Sequence, residues 1–243
     1  MNKNISIDNF PAHHSYKEDG QKHPGLIVIH EIWGLNDNIK NIADRFAEQG
    51  YSVIAPDLFH DVQFEGKIDQ ALLDEMHNPQ TRDEAQKKMR AIMAPIMAPE
   101  FAKDAITKLK KCLDYLLSDE HVNGHIAVVG FCFGGSYSFH LSAKDQRIKA
   151  AVPFYGQPPA EDEILNIECP VLAFYGDQDK ALMQSLPKLT EDMKKNDKNF
   201  EAMVYQNTGH AFFNDTNERM YNADAAKDSW NKVLVFLQEN LKN

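Results

Sequence analysis

Short apolar runs alternate with helical periodicity along most of this chain. Residues 25–30 (GLIVIH) and 51–56 (YSVIAP, closed by Pro56) are β-rich, and between them Ile39, Ile42, Ala43, Phe46 and Ala47 recur at helical spacing, with Asp37 as a cap. That is one βαβ unit. Ala102, Ala105, Ile106, Leu109, Cys112, Leu113 and Leu116 make an amphipathic helix whose apolar stripe includes Cys112. Strands follow at 126–129, at 148–154 (IKAAVPF, ended by Tyr155-Gly156), at 171–175 after Pro170, and at 201–205. Trp230, Val233, Leu234, Leu237 and Leu241 mark a closing helix. The segment 60–99 is less regular, rich in charge and methionine, and broken by Pro79, Pro95 and Pro99. It reads as a helical excursion over the active-site face, where a lid has room. Strands alternating with helices predict an α/β protein, a mostly parallel central sheet with helices on both faces. With no linker or repeat, residues 1–243 read as a single domain.

Composition narrows the function classes. The net charge is −10, which argues against a nucleic-acid or anionic-membrane partner. Three cysteines without repeating spacing argue against a disulfide framework and for a reducing compartment. The N-terminus lacks the apolar core of a signal peptide, and no apolar run reaches membrane-span length, so a cytoplasmic protein is expected. His13, His14 and His23 carry no metal-ligand spacing and read as surface polar residues. Neither a metal nor an organic cofactor is implied.

The chemistry concentrates in Gly130-Phe131-Cys132-Phe133-Gly134-Gly135, between a buried strand and a helix start. This is a nucleophile elbow, G-x-C-x-G-G, with cysteine where serine is usual. A tight strand–helix turn needs glycine beside it, and a helix N-terminus favours a thiolate. A buried turn cysteine fits the six residues equally well, so partners decide. His210, in the glycine-containing loop after the last strand, is the candidate base. The turn after 171–175 offers Asp179 as the orienting acid and Asp177 as the alternative, the latter placed to bond its own turn. The order Cys132, Asp179, His210 is the nucleophile–acid–base order of α/β-hydrolases, and no G-x-S-x-G competes with it. Ser136 and Ser138 read as helix-packing or backbone-bonded residues. The loop after the first strand, His30-Glu31-Ile32-Trp33-Gly34, lies where half of an oxyanion hole belongs; the Ile32 and Phe133 amides are its candidate donors. Glu31 is either an active-site carboxylate or a loop brace.

HEIWGLN, PDLF, GFCFGG, GDQD and GHAFFN, in that order, resemble the dienelactone hydrolase (carboxymethylenebutenolidase) family from about residue 8 to the closing helix. The resemblance implies the α/β-hydrolase fold, a triad on Cys132, Asp179 and His210, and a special glutamate on Glu31 that keeps the resting thiol protonated until substrate arrives. It also implies arginines for a substrate carboxylate. Asn214 stands at the position of one, and Arg82 matches the other loosely, which argues against dienelactone itself as substrate. Trp33 and Phe212, with Arg82 and Asn214, are the candidate substrate contacts, and Phe131 and Phe133 are further candidate pocket walls. The expected activity is hydrolysis of a small-molecule carboxylic ester or lactone through a thioester acyl-enzyme. A non-catalytic ligand-binding protein on the same fold, or a thiol redox sensor using Cys132, are the alternatives.

Overall fold

The strand Val122–Phe131 is buried from Ile126 to Phe131, and apolar side chains cover both of its faces, as a central parallel strand requires. The computed structural model describes residues 1–62, 68, 71–72, 75, 78 and 80–241. Its strands, in chain order, are β1 (Asn2–Ile7), β2 (Phe10–Ser15), β3 (His23–Ile29), β4 (Ser52–Pro56), β5 (Val122–Phe131), β6 (Ile148–Phe154), β7 (Val171–Gly176) and β8 (Phe200–Tyr205). They form one sheet in the order β1-β2-β4-β3-β5-β6-β7-β8. β1 and β2 run antiparallel to their neighbours, and every pairing from β4 to β8 is parallel.

Helices α1 (Asp37–Glu48), α2 (Arg82–Met93), α3 (Pro99–Ser118), α4 (Phe133–Lys144), α5 (Glu161–Ile164), α6 (Lys180–Lys195) and α7 (Ala223–Asn240) cover the two faces of the sheet. Phe46 of α1 packs on Trp230 of α7 at 4.4 Å between ring centroids, and Phe101 of α3 meets Tyr137 of α4 at 6.5 Å. The cap of α1 is Asn36, whose side-chain oxygen accepts the Ile39 N–H at 3.1 Å; Asp37, expected as the cap, is the first helical residue.

The β1–β2 hairpin and α6 are additions to the predicted order. The hairpin places His13 and His14 in a strand, where both are buried rather than on the surface. His13 bonds Asp44 at 2.8 Å, and His14 bonds the Ser52 hydroxyl at 3.1 Å. His23 is half-buried and bonds Asp19 at 2.9 Å. The 60–99 region contributes α2 and a 3-10 turn (Ala94–Met97), while Pro79 and residues 63–67 lie outside the described residues.

The chain leaves β3 toward β4 on one side and later enters β5 on the other. The crevice at the carboxyl ends of β3 and β5 is therefore a topological switch point, where ligands gather in open α/β sheets. Ile29 pairs with Gly130, so the two chains leave the sheet side by side, one into His30-Glu31-Ile32 and the other into Cys132.

Candidate active site

Cys132 caps α4 with φ 54° and ψ −111°, a backbone conformation unusual for any residue with a Cβ. Such a conformation typically costs about 1–3 kcal/mol and persists only when its surroundings impose it. Here they do. The Cys132 N–H donates to the Phe154 carbonyl at 3.0 Å, and the Cys132 carbonyl accepts from the Ser136 N–H at 3.1 Å. The neighbouring glycines let the turn close: a Cβ on Gly130 would stand 2.0 Å from the Gly134 carbonyl oxygen, and one on Gly134 would stand 2.2 Å from that of Ile29. The thiol is held partly open to solvent at the start of a helix. Cys112 and Cys169 are buried instead, and burial pushes both thiol pKa values up.

His210 leaves the loop after β8 and presents Nδ1 to Asp179 Oδ2 at 2.5 Å. Asp179 is also the cap of α6, its other oxygen accepting the Leu182 N–H at 3.3 Å, so the carboxylate is fixed at both oxygens. Asp177 does not bond its own turn, as the sequence suggested. It reaches across to accept the Thr208 N–H at 3.1 Å and ties the acid turn to the histidine loop. Burial alone would lower the His210 pKa, but its hydrogen bonds to Asp179 and Cys132 win and raise it to about 10. The same bond holds Asp179 below the usual carboxylate value despite its burial. With Nδ1 on Asp179, Nε2 is the ring nitrogen left free to act toward Cys132.

Glu31 is buried at 3 % exposure. Asn214 donates to its Oε2 at 2.7 Å, and the Tyr155 hydroxyl donates to Oε1 at 3.2 Å. The Asn214 amide is fixed in turn, because its oxygen accepts from the Thr216 N–H at 3.1 Å and hydroxyl at 2.7 Å. Burial pushes the Glu31 pKa up, against the downward pull of Asn214, Tyr155 and His210. Both Glu31 oxygens are thus engaged by neutral donors, and the carboxyl is directed to Asn214 and Tyr155 rather than to the thiol. Tyr155 was not singled out by the sequence. Its place at the end of β6, beside the elbow in the sheet order, is the signal that marks it. Its ring lies 4.9 Å from His210.

The N–H groups of Cys132 and Gly134 are occupied, the latter by the His30 carbonyl at 3.1 Å. Those of Ile32 and Phe133 have no partner among the described residues. Two open amides flanking a thiol have the composition of an oxyanion hole.

The expected substrate contacts fare unevenly. Phe212 is fully buried among Phe154, Tyr155 and Tyr205, so it is core rather than pocket wall. Phe131 is core as well. Asn214 is committed to Glu31. Trp33 is 40 % exposed, in the loop that follows β3. Phe133 lies in an aromatic group with His30, Phe59, Phe101 and Tyr137. Arg82 opens α2, and among the described residues nothing joins its side chain to Glu31, Cys132 or His210. Ser136 and Ser138 bond backbone groups, Ser138 donating to the Gly134 carbonyl at 2.9 Å.

An eight-stranded, mostly parallel sheet carrying a strand–turn–helix elbow, with an acid turn after β7 and a histidine loop after β8, defines the α/β-hydrolase class. A sequence profile of the dienelactone hydrolase family matches residues 10–241, and the chain belongs to that family. A candidate carboxymethylenebutenolidase of Saccharolobus solfataricus is 34 % identical over 228 residues, covering 88 % of each chain. Protein usf of Aquifex pyrophilus is 33 % identical over 225 residues, covering 90 % of this chain and 89 % of its own. Among solved structures, a candidate dienelactone hydrolase from Klebsiella pneumoniae superposes with a TM-score of 0.79 at 24 % identity over 97 % of both chains. A dienelactone hydrolase-like promiscuous phosphotriesterase from metagenomic libraries does so with 0.72 at 22 % identity, over all of this chain and 98 % of that one. The protein is a hydrolase of the ester and lactone class. Among the described residues no helix is long and apolar enough to cross a membrane.

Proposed function

We propose that this protein hydrolyses a neutral carboxylic ester or lactone by covalent catalysis at Cys132. The observation that carries the reading is the His210 ring, bonded through Nδ1 to Asp179 at 2.5 Å, with its proton affinity raised by Asp179 and by Cys132. An imidazolium beside a thiol stabilises the thiolate, the nucleophilic form. The Cys132 sulfur attacks the carbonyl carbon, and the carbonyl electron pair moves onto oxygen, where the Ile32 and Phe133 N–H groups receive it. The tetrahedral adduct collapses to a thioester as the C–O bond breaks, and His210 protonates the departing alkoxide. Now neutral, His210 takes a proton from water, whose oxygen attacks the thioester. The thiolate leaves, and the carboxylic acid product is released. Glu31, with both oxygens engaged by Asn214 and Tyr155, takes no proton in this cycle.

Neutrality of the substrate is supported by what surrounds Glu31. Asn214 supplies an uncharged donor where the family resemblance expects a guanidinium, and it is already engaged by Glu31 and Thr216. Loss of one charge-assisted contact weakens binding of an anion by about ten- to hundredfold.

Hydrolysis of short-chain nitrophenyl esters by wild type, Cys132→Ala and Cys132→Ser tests the chemistry. Removal of the nucleophile is expected to lower kcat/KM by about a thousandfold or more. Equal rates in wild type and Cys132→Ala would sink the reading.

A further inference from the structure

His30 is fully buried, and both of its ring nitrogens are engaged by backbone. The Leu58 N–H donates to Nε2 at 3.1 Å. A backbone N–H only donates, so Nε2 carries no proton and the neutral ring has its hydrogen on Nδ1. Nδ1 therefore donates to the Glu31 carbonyl, at 2.6 Å. The Gly34 N–H reaches the same carbonyl at 3.2 Å, so this oxygen is held from two sides.

That carbonyl belongs to the peptide unit whose N–H is that of Ile32. No cis peptide bond occurs among the described residues, so the carbonyl and the N–H of this unit point in opposite directions from one rigid plane. Fixing the Glu31 oxygen thus fixes the direction of the Ile32 hydrogen. The ring itself is pinned, stacked on Phe133 with centroids 5.7 Å apart and planes at 11°, and edge-on to Phe59 at 4.6 Å. Its own backbone carbonyl accepts the Gly134 N–H at 3.1 Å, which docks the loop on the start of α4. One residue therefore holds the loop donor, packs on the residue that carries the elbow donor, and bonds the next amide of the helix. Donation to a peptide carbonyl also polarises its N–H into a stronger donor.

We infer that His30 is a positioning residue for the hydrolysis, whose Nδ1–H locks the Glu31–Ile32 peptide so that the Ile32 N–H meets the oxyanion. The inference rests on the reading of Ile32 and Phe133 as oxyanion donors to an adduct on Cys132.

Three substitutions separate the two ring nitrogens. His30→Asn keeps a donor near Nδ1, His30→Gln keeps an acceptor near Nε2, and His30→Leu keeps neither. Loss of a single oxyanion donor costs about a hundred- to a thousandfold in kcat, and a misaimed one costs less. His30→Gln and His30→Leu are therefore expected to lose about tenfold or more in kcat on a nitrophenyl ester, with KM within about threefold of wild type. His30→Asn is expected to recover most of that loss. Alkylation of Cys132 by iodoacetamide, which forms no oxyanion, is expected to keep its wild-type rate in all three. A merely structural role would lower alkylation and hydrolysis together, and that result would overturn the inference. Wild-type kcat in His30→Gln and His30→Leu would overturn it too, as would a His30→Gln variant more active than His30→Asn. In the same assay, undiminished hydrolysis by Cys132→Ala removes the catalytic reading itself, and the inference with it. Loss of activity in Cys132→Ala beside fully active His30 variants removes only the inference.

Discussion

At the scale of single residues, the site is governed by which groups hold protons. His210, with its pKa raised to about 10, holds its proton at neutral pH and is the proposed acid for a departing alkoxide. The hydrolysis of alkyl esters is therefore expected to fall as pH rises through about 10, where that proton is lost. A nitrophenyl ester, whose leaving group needs no proton, keeps its rate there. Parallel pH–rate profiles for the two substrates check this, and a shared decline would remove the acid role. Glu31 gives a stability test with a definite sign. Its folded pKa lies above the ordinary 4.5, so the native state favours the protonated form. That contribution is present below the unfolded pKa and is lost as pH rises. Glu31→Gln has no such dependence, so its Tm is expected to gain on wild type between pH 4 and pH 8. A difference that shrinks over that range would contradict the burial argument. Asp179, Cys132, His210 and Glu31 were legible in the sequence because strand ends and glycine turns mark them. The partners of Glu31 were not, since nothing local tells Asn214 to point at a carboxylate rather than at substrate.

At the scale of elements, close backbone approach decides the geometry. β5, the elbow and α4 are packed so tightly that a Cβ at Gly130 has no room beside the Gly134 carbonyl. Gly130→Ala is expected to cost about 3 kcal/mol or more, the upper end of overpacking penalties, read as a fall in the denaturant midpoint. The Asn36 cap is a milder case: Asn36→Ala is expected to lose about 1 kcal/mol through the unpaired Ile39 N–H, leaving kcat unaffected. The parallel strands were readable because each is a short apolar run between helical patterns. The β1–β2 hairpin was not, because its sequences, NKNISI and FPAHHS, hide buried positions under polar letters; His13 and His14 are satisfied by Asp44 and Ser52 only once the hairpin has docked. Likewise α6 carries an internal Pro187 and a charged outer face, which disguise an element whose cap, Asp179, doubles as the proposed triad acid.

At the scale of the whole molecule, the sheet order brings the ends of β3, β5, β7 and β8 to one rim, and every proposed catalytic group follows one of them. Order along the chain revealed this in the sequence; the crevice itself needed the topology. The net charge of −10 acts on any substrate that approaches. For an anionic ester kcat/KM is expected to rise with salt as that repulsion is screened, and for a neutral ester to stay level. A fall with salt for the anionic ester would reveal a cationic pocket and remove the case for a neutral substrate. The central claim, covalent catalysis at Cys132, is tested most directly by rapid acid quench during turnover of a nitrophenyl ester, followed by peptide mass mapping. The account predicts one acyl group as a thioester on the peptide carrying Cys132, absent in Cys132→Ala. Full turnover with no acyl mass on that peptide, and an undiminished rate in Cys132→Ala, would contradict it.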